Sequence, residues 1–398
     1  MSFKTALAAA AMLTAVSMPA WSAEYTMSAS ADFSGPFADV MPNAMSGIET
    51  ITAWWNKDVG SKLGVKVNIK IYDMRYDAAV IARTWPSILS RDQPIMHLGF
   101  GSPDLTTLMT RLPNDKVPML IGTAMVSMVW KPQGWHFSIR PTYSHEFAGL
   151  LDTLQKQRGG KLRIGAVSTQ TAAGFVDQVR GVEKLAATYP DRFEVVDTQW
   201  VATSPVSMTS NIRAMLEKKP DVVLVGGTTA QVTATAAALE ELNVKLPIIN
   251  STHNGLSEVA KGFDLKKMNG SYSAFSFAPD NQAKLPLREV YEANKSGKGE
   301  WGIITTQSAA QALLALRVLE KAVAKVGKDK VTGQAMYDAL LANKFTEQEL
   351  LGVLPDLDFD ATAPFPVGAI KAKAQIVVDG KIQPMGDAWM PVPAFDKW

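Results

Sequence analysis

The chain has 398 residues, 47% hydrophobic and 20% charged, with 40 basic and 38 acidic side chains for a formal net charge of +2. This is the composition of a globular protein long enough for two domains, and the balanced, evenly spread charge excludes a polybasic nucleic-acid binder. Cysteine is absent, which excludes disulfides, Cys-based metal sites, a thiol nucleophile and a lipidated Cys behind a leader.

The first residues read as a secretory signal, 1–23. Lys4 supplies the positive end, Ala6 to Val16 is an uncharged apolar run, and Pro19, Ala20, Ser22 and Ala23 end it. Cleavage falls after Ser22 or after Ala23. The run is short for a membrane span of about 20 residues, so a free, exported protein is expected, in the periplasm of a Gram-negative bacterium.

Beyond the leader, strand-like and helix-like runs alternate. Tyr25 to Ala29 is a short strand, followed by the turn Ala31-Asp-Phe-Ser-Gly-Pro-Phe-Ala38 and a helical run from Asn43 to Asp58. Gly35-Pro36 makes the turn and leaves Ser34 with a free hydroxyl and backbone N–H at a strand end. Val67–Tyr72 is β-branched, Ala78–Leu89 has helical spacing, and Pro94–Leu98 is a strand. Asp104–Arg111 then forms a helix, with Ser102 as its N-cap and Pro103 at its first position. Val117–Ile121 is the next strand.

The pattern restarts near Arg140-Pro141-Thr142-Tyr143. A helix through Leu150 and Leu154 stops at Gly159-Gly160. Strands over Leu162–Val167, Phe193–Val201, Asp221–Val225 and Leu246–Ile249 then alternate with helices over Thr171–Thr188, Met208–Lys218 and Ala230–Leu242. Two or three helices follow Phe275-Ser-Phe277. In Thr305–Val326, Ala309, Ala312, Leu313, Leu316, Leu319 and Val323 share one face. A terminal hairpin over Gly368–Gly386 turns at Asp379-Gly380. Such alternation in two units of similar size predicts two doubly wound α/β lobes, and no low-complexity tether separates them.

No phosphate-binding loop, dinucleotide fingerprint, zinc-binding His spacing or nucleophile elbow occurs, so nothing favours catalysis, and no cofactor or metal is expected. What recurs is small polar residues at strand ends: Ser34-Gly35, Gly101-Ser102, Thr123-Ala124, Thr169 with Thr171, Gly227-Thr228 and Ser251-Thr252. Hydroxyls and free N–H groups there suit a carboxylate or another small polar head, although each alone also serves as a helix cap.

The order of Phe33-Ser-Gly-Pro-Phe-Ala38, Gly47-Ile-Glu through Trp55-Asn56, Tyr72-Asp73 with Asp77 and Ala82, Gly99 to Ser102, Val117-Pro118, Arg140-Pro141, Ala172-Ala-Gly174-Phe175, Pro220–Leu224 and Thr305–Ala310 resembles the periplasmic solute-binding proteins that include the branched-chain amino acid receptors of ABC importers. The resemblance runs over most of the chain after the leader. It implies two hinged lobes joined by three crossings, residues 24–142 with 275–347 and residues 143–274 with 348–398. It further implies a non-enzymatic monomer that delivers a solute to a membrane permease and ATPase. Family ligand contacts map onto Ser34 to Phe37, Gly101, Ser102, Thr123 and Ala124 in the first lobe, and onto Phe175, Gly227 and the loop with Thr252, His253 and Asn254 in the second.

Amino-acid receptors of this family hold the ligand ammonium with an acid in the second lobe. Here that loop reads Ser251-Thr252-His253-Asn254, with no acid before Glu258. Histidine pairs poorly with an ammonium ion. The reading therefore favours a carboxylate with an apolar or aromatic body, and His253 either lines the site or is structural. Trp54, Trp55, Trp85, Trp130 and Trp135 are candidate walls or core residues, and Arg75 and Tyr76 are outlying candidates for the anion partner. A hydrophobic amino acid or amide receptor, or a sensory protein of the same fold, is the alternative.

Overall fold

The computed structural model describes residues 23–122, 134–171, 173–297, 299–361 and 370–395. Residues 1–22 of the expected leader, Thr123, Ala124 and Trp130 lie outside the described residues, while Ala23 begins the first strand. Two sheets organise the chain. The first contains β1 (Ala23–Ala31), β2 (Val65–Asp73), β3 (Met96–Gly99), β4 (Met119–Ile121) and β5 (His136–Ser138), all parallel, in the order β2–β1–β3–β4–β5. The second contains β6 (Leu162–Ser168), β7 (Phe193–Trp200), β8 (Val222–Val225), β9 (Ile248–Asn250), β10 (Tyr272–Phe275), β11 (Lys371–Val378) and β12 (Lys381–Pro384). Its order is β12–β11–β10–β9–β8–β6–β7, parallel from β7 to β10 and antiparallel from β10 to β12. Helices cover these parallel strands, as right-handed crossover connections require.

The first sheet packs on helix Met41–Trp55 and helix Ile303–Val326. Ala44, Ile48, Ile51 and Trp55 are buried in one core with Ala309, Leu313 and Leu316. The two backbones approach closely at Gly47, where a Cβ would lie 2.4 Å from the Ser308 hydroxyl. Helix Ile303–Val326 was expected to show one apolar face. Ala310, Leu314, Ala315 and Val318 are buried as well, because β3 and β4, helix Met41–Trp55 and helix Gly333–Ala342 all pack against it.

The chain passes between the two sheets through Ile139–Thr142, just after β5, and again through Ser276 to Ala278, just after β10. Leu350, Val353, Leu354, Leu357 and Phe359 belong to the first core, and Ala372 and Ala374 to the second.

Most elements fall where local periodicity puts them. The terminal hairpin turns at Asp379 and Gly380, with φ of 50° and 74°, as an Asp-Gly turn should. One cap differs. The helix near Asp104 runs Ser102–Leu108, with Gly101 rather than Ser102 at the N-cap. The Asp104 carboxylate accepts the backbone N–H groups of Phe100 and Gly101, each at 3.0 Å. That leaves the Ser102 hydroxyl free to reach the Tyr76 hydroxyl at 3.0 Å.

Candidate functional site: an aromatic gap with a guanidinium floor

The turn after β1 is held from β2. Ala31 pairs with Asp73 across the two strands, which brings that carboxylate under the turn. It accepts the Phe33 N–H at 3.0 Å, the Ser34 hydroxyl at 2.6 Å and the Arg75 N–H at 3.3 Å. Desolvation pushes the Asp73 pKa up, but these hydrogen bonds outweigh it and hold the carboxyl below its usual range. The Ser34 hydroxyl is therefore not free, as the sequence suggested, and its proton is given to Asp73. Phe37 N–H donates to Asp32 at 2.7 Å.

What the turn presents outward is Phe37. Its ring meets Tyr76 at 4.8 Å and Phe100 at 5.5 Å, both edge-on. Arg75 and Tyr76 are consecutive left-handed residues, with φ of 57° and 51°. This backbone is uncommon for large side chains, and it turns the Tyr76 ring over Gly101. A Cβ on Gly101 would lie 2.1 Å from that ring, so the close approach requires glycine. Burial raises the Tyr76 pKa against the opposing Ser102 hydrogen bond, and Tyr143 of the other lobe raises it further.

A second aromatic cluster, in the other lobe, is built by Tyr143, Phe175 and His253. His253 stacks on Phe175 with centroids 5.6 Å apart and planes 27° apart, and meets Tyr143 edge-on at 5.2 Å. Its Nε2 lies 2.9 Å from the Gly227 carbonyl, and its Nδ1 lies 2.7 Å from the Ser251 hydroxyl. A carbonyl only accepts, so Nε2 carries the proton and Nδ1 accepts from Ser251. The residue as a whole stays partly exposed. The surrounding protein still lowers its pKa to about 4 by desolvation. The Gly227 carbonyl opposes this and the Arg140 charge adds to it. His253 is thus a neutral aromatic wall, with both nitrogens already bonded.

Thr252 and Asn254 support this wall from behind. The buried Thr252 hydroxyl lies 2.8 Å from Glu146 Oε2 and 3.1 Å from the Ala274 carbonyl. The buried Asn254 amide accepts from Ser251 N–H at 2.8 Å and donates to the carbonyls of Val225 at 3.2 Å and Gly227 at 2.9 Å. Of the expected contacts, the structure brings Phe37, Gly101 and Ser102 to one side, and Phe175, Gly227 and His253 to the other. Ser34 lies on the exposed turn.

The tryptophans fall elsewhere. Trp55 and Trp85 are fully buried and donate to Glu320 at 2.6 Å and Asp115 at 2.8 Å, and Trp135 stacks on Tyr337 at 4.2 Å. A shallow trough of about 570 Å³ lies beside β7, lined by Glu183, Phe193 and Asp197 among others, away from this gap.

Sequence reasoning missed the floor. Arg140 sits on the first passage between the sheets and is 1% exposed. Its guanidinium lies over the Tyr143 ring at 4.3 Å and the Phe277 ring at 5.8 Å. Its Nη1 is 3.3 Å from Gln307 Oε1 and 3.4 Å from Glu146 Oε1. Gln307 also abuts Gly122, the residue before Thr123. Glu146 accepts the Ser276 hydroxyl at 2.6 Å from the second passage. Desolvation raises the Glu146 pKa, while Arg140, Ser276 and Thr252 oppose that rise. In the sequence the floor appeared only as the polar Arg-Pro-Thr break and, for Arg140 and Gln307, within motifs of the family resemblance, with no binding role attached.

Among the described residues, no group of three or more His, Asp or Glu could hold a metal ion, and no helix is long and apolar enough to cross a membrane. A family model of periplasmic binding proteins matches residues 25–369. No curated protein matches the chain. Solved structures with the same fold include a branched-chain amino acid ABC transporter protein from Thermus thermophilus with bound valine, at 17% identity and TM-score 0.74, covering 93% of this chain and 97% of that one. A solute-binding protein of an ABC transporter from Rhodopseudomonas palustris HaA2, in complex with p-hydroxybenzoic acid, aligns at 15% identity and TM-score 0.71, over 94% and 98%. A fatty acid ABC transporter substrate-binding protein from Thermomonospora curvata aligns at 18% identity and TM-score 0.73, over 92% of each chain. With two α/β sheets linked by hinge passages and a family match over most of its length, this chain belongs to the periplasmic binding protein family.

Proposed function

We propose that the protein is the solute-binding component of an ABC importer, and that it captures a small carboxylate with an apolar or aromatic body between its lobes. It would deliver that solute, chemically unchanged, to a permease and ATPase in the inner membrane. The observation that carries the reading is the pairing of two aromatic walls, Phe37–Tyr76–Phe100 and Tyr143–His253–Phe175. Small-molecule sites are typically apolar surfaces with a few placed polar groups. Glu146, the acid beside the His253 loop, is buried and already bonded to Ser276 and Thr252, and His253 is neutral. Neither suits an ammonium group. The valine, p-hydroxybenzoic acid and fatty acid named for the structural neighbours all carry a carboxylate beside an apolar body.

The experiment is a thermal-shift and calorimetric panel on the leaderless protein: 4-hydroxybenzoate, benzoate, hexanoate, L-leucine, L-valine and the matching amides. Aromatic or aliphatic acids should raise the melting temperature, since ligand at about 100 times Kd adds about 2.7 kcal/mol. Stabilisation by leucine and valine alone would replace this reading with a hydrophobic amino acid receptor.

A further inference from the structure

We propose that the guanidinium of Arg140 is the anchor for the ligand carboxylate, gripping it through its Nε and Nη2 edge at the floor of the gap. This inference rests on the functional reading above and adds the residue that sets the charge of the solute.

The argument begins with an incomplete hydrogen-bond count. Arg140 is buried, and among the described residues its Nε and Nη2 have no partner, whereas Nη1 faces Gln307 and Glu146. Unpaired buried donors on a cation are costly, and native proteins rarely leave them without a use. The two orphan atoms are not scattered. Nε–H and the Nη2–H beside it point the same way along one edge of the planar group, the fork that matches the two oxygens of a carboxylate.

The remaining surroundings suit that role. Tyr143 and Phe277 cover the guanidinium faces, so the plane of the fork is fixed by packing rather than by rotamer choice. Tyr143 also touches His253, which places the head-group anchor directly beneath the aromatic wall that would hold an apolar body. Arg140 lies on the passage between the sheets, so parting of the lobes opens a route to an edge that this structure seals from solvent. Glu146 and Gln307 engage Nη1, and leave the Nε–Nη2 edge for the incoming anion.

The test compares 4-hydroxybenzoate with 4-hydroxybenzamide, and hexanoate with hexanamide, by calorimetry on wild type, Arg140→Lys, Arg140→Gln and Phe175→Ala. Circular dichroism and unliganded melting confirm that each variant is folded. Wild type should bind at least one acid and discriminate against its amide. Arg140→Lys keeps the charge without the fork and should weaken that acid about tenfold. Arg140→Gln should weaken it about a hundredfold and erase the preference for acid over amide. Unchanged acid affinity in Arg140→Gln overturns the anchor, as does equal binding of acid and amide by wild type, or a wild type that binds neither acid. If acid binding survives in Arg140→Gln but falls in Phe175→Ala, only the anchor fails. If it survives in both, the gap itself is not the site.

Discussion

Phe175, in the first turn of helix Ala173–Thr188, and His253, in the short 3-10 turn Thr252–Asn254, stack with their centroids 5.6 Å apart, while His253 fixes its own ring through Gly227 and Ser251. The stack is held by hydrogen bonds that do not involve Phe175, so the wall can be thinned without collapse. Phe175→Ala should lower affinity for an aromatic acid about tenfold, the scale of a lost aromatic contact. Unfolding midpoints should change little, because Phe175 is only half-buried. Calorimetry with 4-hydroxybenzoate and a urea titration would measure the two effects separately.

Asp73 pins the turn after β1 through Phe33, Ser34 and Arg75. Asp73→Ala should destabilise the protein by about 1–2 kcal/mol, like the loss of a helix cap, and should speed amide exchange at residues 33–37. Its folded pKa is lowered. The stabilisation is therefore fully present above the ordinary value of 3.8, and is lost as pH falls through the lower folded value. Amide exchange that matches wild type in the Asp73→Ala variant would show that the turn holds itself.

Gly101→Ala forces a methyl group into the Tyr76 ring at 2.1 Å. Overpacking of this kind costs about 1–3 kcal/mol. The single substitution should reduce both stability and ligand affinity. The double variant with Tyr76→Ala should recover most of the lost stability, because the two residues are in contact and their effects are not additive. A double-mutant cycle with no coupling would contradict the geometry.

His145 sets a pH window for stability. It is buried, with Nδ1 2.7 Å from the Thr142 hydroxyl and its ring stacked on Phe395 at 4.7 Å. Desolvation lowers its pKa to about 3, against an ordinary value of 6.5. Between these values the unfolded chain binds the extra proton, so the contribution is intact above pH 6.5 and is lost as pH falls toward 3. Urea midpoints at pH 7, 5.5 and 4.5 should decline in wild type. The decline should be shallower in His145→Asn, which has no proton to gain.

The lobes were legible in the sequence where burial follows a simple local period. β1, β2, β6 and the helix over Ala78–Asp92 lie close to where their alternation or helical spacing puts them. β5 and β10 were not legible. They are three and four residues long and carry His136, Ser138 and Ser273, polar residues that become buried only because neighbouring elements cover them. The same division runs through the site. Gly101 and Ser102 stood out as small polar residues at a strand end, and Phe175 and His253 were reached only through the family resemblance. Arg140, Gln307 and Glu146 were not recognised, because they sit at passages between sheets or inside a long helix. Their meaning comes from residues remote in sequence, such as Ser276 and Thr252.

The interleaved passages also govern how the chain must assemble. Helix Met41–Trp55 finds its core partner in helix Ile303–Val326, and β10 finds its antiparallel neighbour in β11. The first core cannot form from a contiguous stretch of polypeptide, because it joins residues 27–139 to residues 275–359, so its consolidation waits until that later segment is present. Such long-range wiring slows folding.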